Sequence, residues 1–196
     1  MGEQGGLLAA LRDGTRAAHA RMEEVPAMRR LVAHDLSMAE YVAVLQHMHA
    51  FLGRFEPMIA AAMSGSPAAA LLDGERPRAL AEDLARLGAP LIDNAPIEGL
   101  HALRGEAEGL GALYVVEGSG LGGRVIGRHV QASLGLGPGT GGLFYGGLGA
   151  EAARARWALL GAALEACPQA DHARAVASAD TSFHALDRWM RRISLA

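Results

Sequence analysis

The sequence predicts an all-α fold, a single-domain multi-helix bundle, and three observations carry that prediction. Alanine, leucine, arginine and glutamate dominate the 196 residues, and β-branched runs are absent; that composition favours helix over strand. Apolar residues recur in several windows at a spacing near 3.6. Clusters of glycine and proline punctuate those windows, with no internal repeat and no second core. A chain of this length suits one domain spanning residues 1–196.

The first window runs from Leu7 to Arg30 and puts Leu7, Leu8, Leu11, Thr15, Ala18 and Met22 on one side. Pro26 is expected to kink or interrupt it. Ser37 followed by Glu40 reads as a capping box, opening a helix from Met38 to about Met63. Ser64, Gly65, Ser66 and Pro67 end that helix, and a shorter one is expected from Pro77 to Leu87. Gly88, Pro90, Asp93, Asn94 and Pro96 then form a turn-rich connection. A long helical pattern follows from Glu98 to Leu134, and Gly135 to Gly149 reads as a loop. Helices at Ala150 to Ala166 and Gln169 to Ile193 close the chain, for roughly six to eight helices in all.

Composition excludes several roles. The net charge of −3 argues against nucleic-acid binding as the main role. All 18 basic residues are arginine, so an anion site must use guanidinium forks, hydroxyls or backbone N–H groups. No run approaches the roughly 20 apolar residues of a membrane helix. The N-terminus lacks a basic start followed by an apolar segment, so no secretory leader is expected. One cysteine, Cys167, excludes an internal disulfide and a cysteine metal cage. The expectation is a soluble cytoplasmic protein that contacts neither membrane nor nucleic acid.

Three segments carry candidate chemistry. His19 and Glu23 are four apart, so they share a helix face. One imidazole nitrogen can ligate iron while the other donates to the carboxylate; the alternative is a solvated surface pair. Gly118, Gly120, Gly122, Gly123 and Gly127 fall inside the long helical pattern, each costing roughly 1 kcal/mol relative to alanine. Such a helix needs its backbone exposed to a flat ligand, packed tightly against a neighbour, or bent. Thr181 to Trp189 reads as an amphipathic helix burying Phe183, Leu186 and Trp189. The other histidines form no compact metal-ligand spacing.

Together these segments resemble the heme oxygenase family, especially its bacterial branch, over nearly the whole chain. Leu11-Arg12-Asp13-Gly14-Thr15-Arg16-Ala17-Ala18-His19 through Glu23 looks like the family's proximal helix. Gly111 to Gly123, with Glu117-Gly118-Ser119-Gly120-Leu121-Gly122-Gly123 at its end, looks like the kinked, glycine-rich distal helix. Phe144-Tyr145-Gly146-Gly147-Leu148-Gly149, followed by Arg156-Trp157, resembles the bacterial connection, and Thr181 to Trp189 the closing helix.

The resemblance implies heme as substrate and cofactor, with biliverdin, carbon monoxide and ferrous iron as products. His19 would be the iron ligand and Glu23 its partner. Gly118, Ser119, Gly122 and Gly123 would form the catalytic distal face. Arg12 and Arg128 would bind near the propionates and heme edge, with Arg154 and Arg156 as weaker candidates, and Phe183 would line the pocket. Mammalian members carry an aspartate where this chain has Ser119, and bacterial members also lack it there. Water held by backbone carbonyls and Ser119 is the expected proton route. No flavin, nicotinamide or cluster motif is present, so electrons would come from a redox partner, a reductase or ferredoxin. A biliverdin acceptor such as a bacterial phytochrome is a further partner the resemblance suggests. Competing expectations are a non-catalytic heme carrier or sensor of the same fold, a helical thiaminase-like enzyme on a non-heme substrate, and a purely structural bundle.

Overall fold

A computed structural model describes residues 6–92, 96–147 and 149–194, and every regular element among them is helical. The helices are α1 (Leu7–Glu23), α2 (Pro26–Arg30), α3 (Met38–Ala62), α4 (Glu75–Arg86), α5 (Glu106–Leu134), α6 (Leu143–Gly146), α7 (Ala150–Ala166) and α8 (His172–Met190). Short 3-10 turns lie at Pro67–Leu71 and Gln169–Asp171. One hydrophobic cluster draws on all the long helices, including Leu11, Phe51, Leu84, Leu110, Leu160 and Met190. Asp93, Asn94 and Leu148, named above in a turn and a motif, lie outside the described residues. No helix among the described residues is long and apolar enough to cross a membrane.

α1 buries Leu7, Leu11, Thr15, Ala18 and Met22, the face its periodicity predicts. It does not continue to Arg30. Val25 is extended (φ −62°, ψ 125°) and Pro26 occupies the first turn of a separate α2. The physical reason is local: the proline ring disfavours helical geometry in the residue before it, yet fits the first helical position.

α3 opens on the expected capping box. The Ser37 hydroxyl accepts from the Glu40 backbone N–H at 3.3 Å, and Glu40 accepts from the Ser37 N–H at 2.8 Å. Arg30 at the end of α2 donates to the same carboxylate at 2.6 Å, fastening α2 to α3. That guanidinium, helped by Ser37, holds the Glu40 carboxyl at about 2, below its ordinary 4.5. A carboxylate depressed by folding stabilises above its unfolded value and loses that stabilisation as pH falls through the folded one. Acid melts of the native chain should therefore lose stability between about pH 5 and pH 2, and Glu40→Gln should lack that part of the loss. Parallel acid limbs in the two proteins would show that Glu40 contributes nothing to it.

Two boundaries differ from the periodic reading. α5 starts at Glu106 rather than Glu98, because Gly99 (φ 88°) and Gly105 (φ 79°) take left-handed backbone that breaks a helix. Within the expected loop, Leu143–Gly146 form α6. The buried Asp83 of α4 accepts from the Leu143 and Phe144 N–H groups, both at 2.8 Å, and so caps α6 from another helix. The last helix begins at His172, after a 3-10 turn, and ends at Met190 rather than Ile193. It buries Phe183, Leu186 and Trp189 as its pattern predicts.

Candidate functional site

α8 organises the site, because both α1 and α5 pack along it while making little contact with each other. On α5, Arg104 O just before the helix and Glu108 O accept from Arg174 and Ser178 respectively, so α5 and α8 advance in parallel. A Cβ on Gly14 would meet Val176, and the His19 ring stands 5.9 Å from the Phe183 ring, so α1 also advances with α8. His19 and the glycines after Glu117 therefore lie toward the same end of α8, on two helices that barely touch one another.

His19 is exposed over 63% of its side chain. Its Nδ1 is 3.4 Å from Glu23 Oε1, while Nε2 has no partner among the described residues. Phe183 is buried and meets the imidazole edge-on, limiting the ring's rotation. Among the described residues no three His, Cys, Asp or Glu side chains gather to hold a bare metal ion. One oriented imidazole with a free nitrogen suits a metal whose other ligands come from a macrocycle.

The glycines divide into two groups. A Cβ on Gly118, Gly120 or Gly122 would meet nothing within 4 Å. Ser119, Gly120 and Gly122 are exposed, so α5 presents bare backbone to the surface at these glycines. Tight packing cannot explain these three residues. Gly111 and Gly127 are the opposite: a Cβ there would collide with the Ala175 carbonyl or come within 2.6 Å of Tyr145 O. Gly123 is buried and faces Tyr145 at 3.5 Å, so it supports the helix from behind. Ser119 donates its hydroxyl proton to Val116 O at 2.7 Å, leaving its oxygen available as an acceptor.

The arginines also separate. Arg12, Arg128 and Arg154 are exposed, and their guanidinium groups have no partner among the described residues. Arg12 lies two turns before His19 on nearly the same face of α1, about 10 Å along the axis. Arg156, by contrast, is committed to a partly buried ion cluster. It donates to Glu117 at 2.9 and 3.2 Å and to Asp73 at 3.0 Å, and Arg76 bridges Glu117 to Glu56. It is thus removed from the candidate anion ligands. The sequence reading missed this cluster. Its available signal was one carboxylate, Glu117, at the end of the apolar stretch Ala112 to Val116.

Two remaining features lie elsewhere. A cavity of about 240 Å³ between residues 99–103 and α8 is lined by none of the predicted site residues. Cys167 is buried, and burial pushes its thiol up, which opposes a nucleophilic thiolate.

The family model for heme oxygenase matches residues 6–192. No curated protein sequence matches the chain. Among solved structures, the chain is similar to the NO- and CO-bound heme oxygenase of Neisseria meningitidis, with 20% identity, TM-score 0.74, and coverage of 95% of this chain and 91% of that one. It is similar to the heme oxygenase of Leptospira interrogans, with 17% identity, TM-score 0.75, and coverage of 96% and 100%. It is also similar to heme oxygenase-1 of the cyanobacterium Synechocystis in complex with heme, with 16% identity, TM-score 0.70, and coverage of 96% and 92%.

Proposed function

Because the chain belongs to the heme oxygenase family, we propose that it binds heme between α1 and the bare face of α5 and cleaves the ring with dioxygen, giving biliverdin, carbon monoxide and ferrous iron. The observation that carries this reading is the open space at Gly118 and Gly122. These two lie four apart on one helix face. A helix that bears roughly 1 kcal/mol per glycine with no packing need has its backbone free for a flat ligand. Bound heme supplies the redox and oxygen chemistry; the chain supplies orientation and electrostatics.

His19 would hold the iron through Nε2, with Glu23 orienting the ring through Nδ1 and raising the ligand's basicity. Gly118 and Gly122 would let the α5 backbone approach the ring closely and would bring no acidic side chain to it. The Ser119 oxygen, an acceptor, holds a water on that side as the start of proton delivery. Phe183 packs on the ligand imidazole. Electrons come from an external reductase or ferredoxin, and a phytochrome is one acceptor for the product in the cytoplasm. Titration with hemin, followed by ascorbate, tests the reading: a histidine-type spectrum should form and then convert to biliverdin. A stable hemin complex that yields no product would leave a carrier or sensor instead.

Arg12 and Arg128 are exposed and unpartnered among the described residues, and each could grip a propionate through two charge-assisted bonds. Removing Arg12 by Arg12→Ala should weaken hemin affinity about tenfold, the equivalent of one such pair, or change the ratio of biliverdin isomers. Neither change appearing would move the anchor to Arg128.

A further inference from the structure

The glycine face has no side chains of its own to fix its height above a ligand. A Cβ on Gly118, Gly120 or Gly122 would meet nothing within 4 Å, whereas contacts to other elements flank this span on both sides. At the far end, Gly123 and Gly127 rest on Tyr145 of α6, which Asp83 caps. At the near end stands Glu117, the residue directly before Gly118.

We propose that Glu117, gripped by Arg76 and Arg156, is the positioning residue that sets where the glycine face sits; this rests on the heme-binding reading only for what the face then contacts. Five side chains from separate parts of the fold converge here: Glu56 of α3, Asp73 before α4, Arg76 of α4, Glu117 of α5 and Arg156 of α7. Arg156 takes both Glu117 oxygens, Nε to Oε2 at 3.2 Å and Nη2 to Oε1 at 2.9 Å. Arg76 donates to Glu117 Oε1 from its other side and to Glu56 at 3.0 Å. Both guanidiniums also donate to Leu71 O, tying the cluster to the 3-10 turn.

Glu117 and Glu56 are each only 4% exposed. Desolvation makes such a cluster a poor source of net stability, since well-packed apolar groups do as well. Its distinctive capacity is geometric. A two-pronged pair fixes distance and angle, which apolar packing does not. Three carboxylates face two guanidiniums, and burial pushes the Glu56 carboxyl up, toward the neutral form that balances the charge. Glu117 touches no proposed ligand; it acts through the backbone of Gly118.

The test reads amide hydrogen exchange along α5 in the heme-free protein, together with hemin affinity. Glu117→Gln keeps the shape and removes the charge. It should speed exchange at Gly118 to Gly122 and raise the hemin Kd, each about tenfold. Leu45→Ala, a core change on α3, lowers global stability as a control. Locally opening segments exchange without global unfolding, so the control should leave Gly118 to Gly122 as in the native chain. Arg156→Lys keeps the charge but loses the fork, and should give a smaller change of the same kind; it serves if Glu117→Gln fails to fold. Native exchange rates across Gly118 to Gly122 in the folded variants, or a change matched by Leu45→Ala, would overturn the proposal. If the native chain binds no hemin, the heme reading falls while the exchange result still judges Glu117.

Discussion

His19→Ala should leave a folded protein that has lost the histidine-type hemin spectrum and all but about 1% of turnover. The expectation follows from the chemistry of a single donor. Nε2 of His19 is free and Glu23 sits 3.4 Å from Nδ1, the arrangement by which a lone imidazole is oriented as a ligand. The side chain is 63% exposed, so its removal should change folding stability by no more than about 0.5 kcal/mol. Loss of function then cannot be blamed on unfolding. Glu23→Gln provides a graded companion. Losing an outer partner of a metal-bound histidine typically costs about 10–100-fold, so this variant should retain the spectrum with weakened affinity or rate. Unchanged spectra and rates in His19→Ala would remove His19 from the role.

What the sequence conveys well is whatever depends on neighbours along the chain. The His19–Glu23 pair, the Ser37–Glu40 box and the buried face of α1 all follow from spacing within one helix. The break before Pro26 obeys the same local logic. Features that depend on distant partners are a different matter. Nothing near Leu143 announces α6, because the carboxylate that caps it is Asp83, on α4. Arg156 looks like a free cation by sequence, and only the approach of α4, α5 and α7 commits it to Glu117. The glycines show both limits at once. Their helix was legible from the pattern around them, yet which glycine serves packing and which stands open is decided by α6 and α8.

That division makes Gly122→Leu the sharpest test of the ligand face. Two physical explanations compete for a glycine inside a helix: close contact with another backbone, or a surface kept bare for something flat. They predict opposite outcomes. An added Cβ at Gly122 meets no atom within 4 Å, so leucine there should not overpack the apo-protein. Replacing glycine by a strong helix former should instead stabilise α5, by up to about 1 kcal/mol. Hemin is where the cost should fall, because the side chain would occupy the space a ring must enter; affinity or turnover should drop by about 100-fold, the loss of a few kcal/mol of contact. Gly111→Ala supplies the contrast. Its Cβ would strike the Ala175 carbonyl on α8, so it should destabilise the apo-protein by about 1–3 kcal/mol with no direct obstruction of the ligand face. Melting and hemin turnover measured on both variants decide the matter. If Gly122→Leu melts early and its folded fraction still turns hemin over normally, the bare face of α5 is not where heme lies.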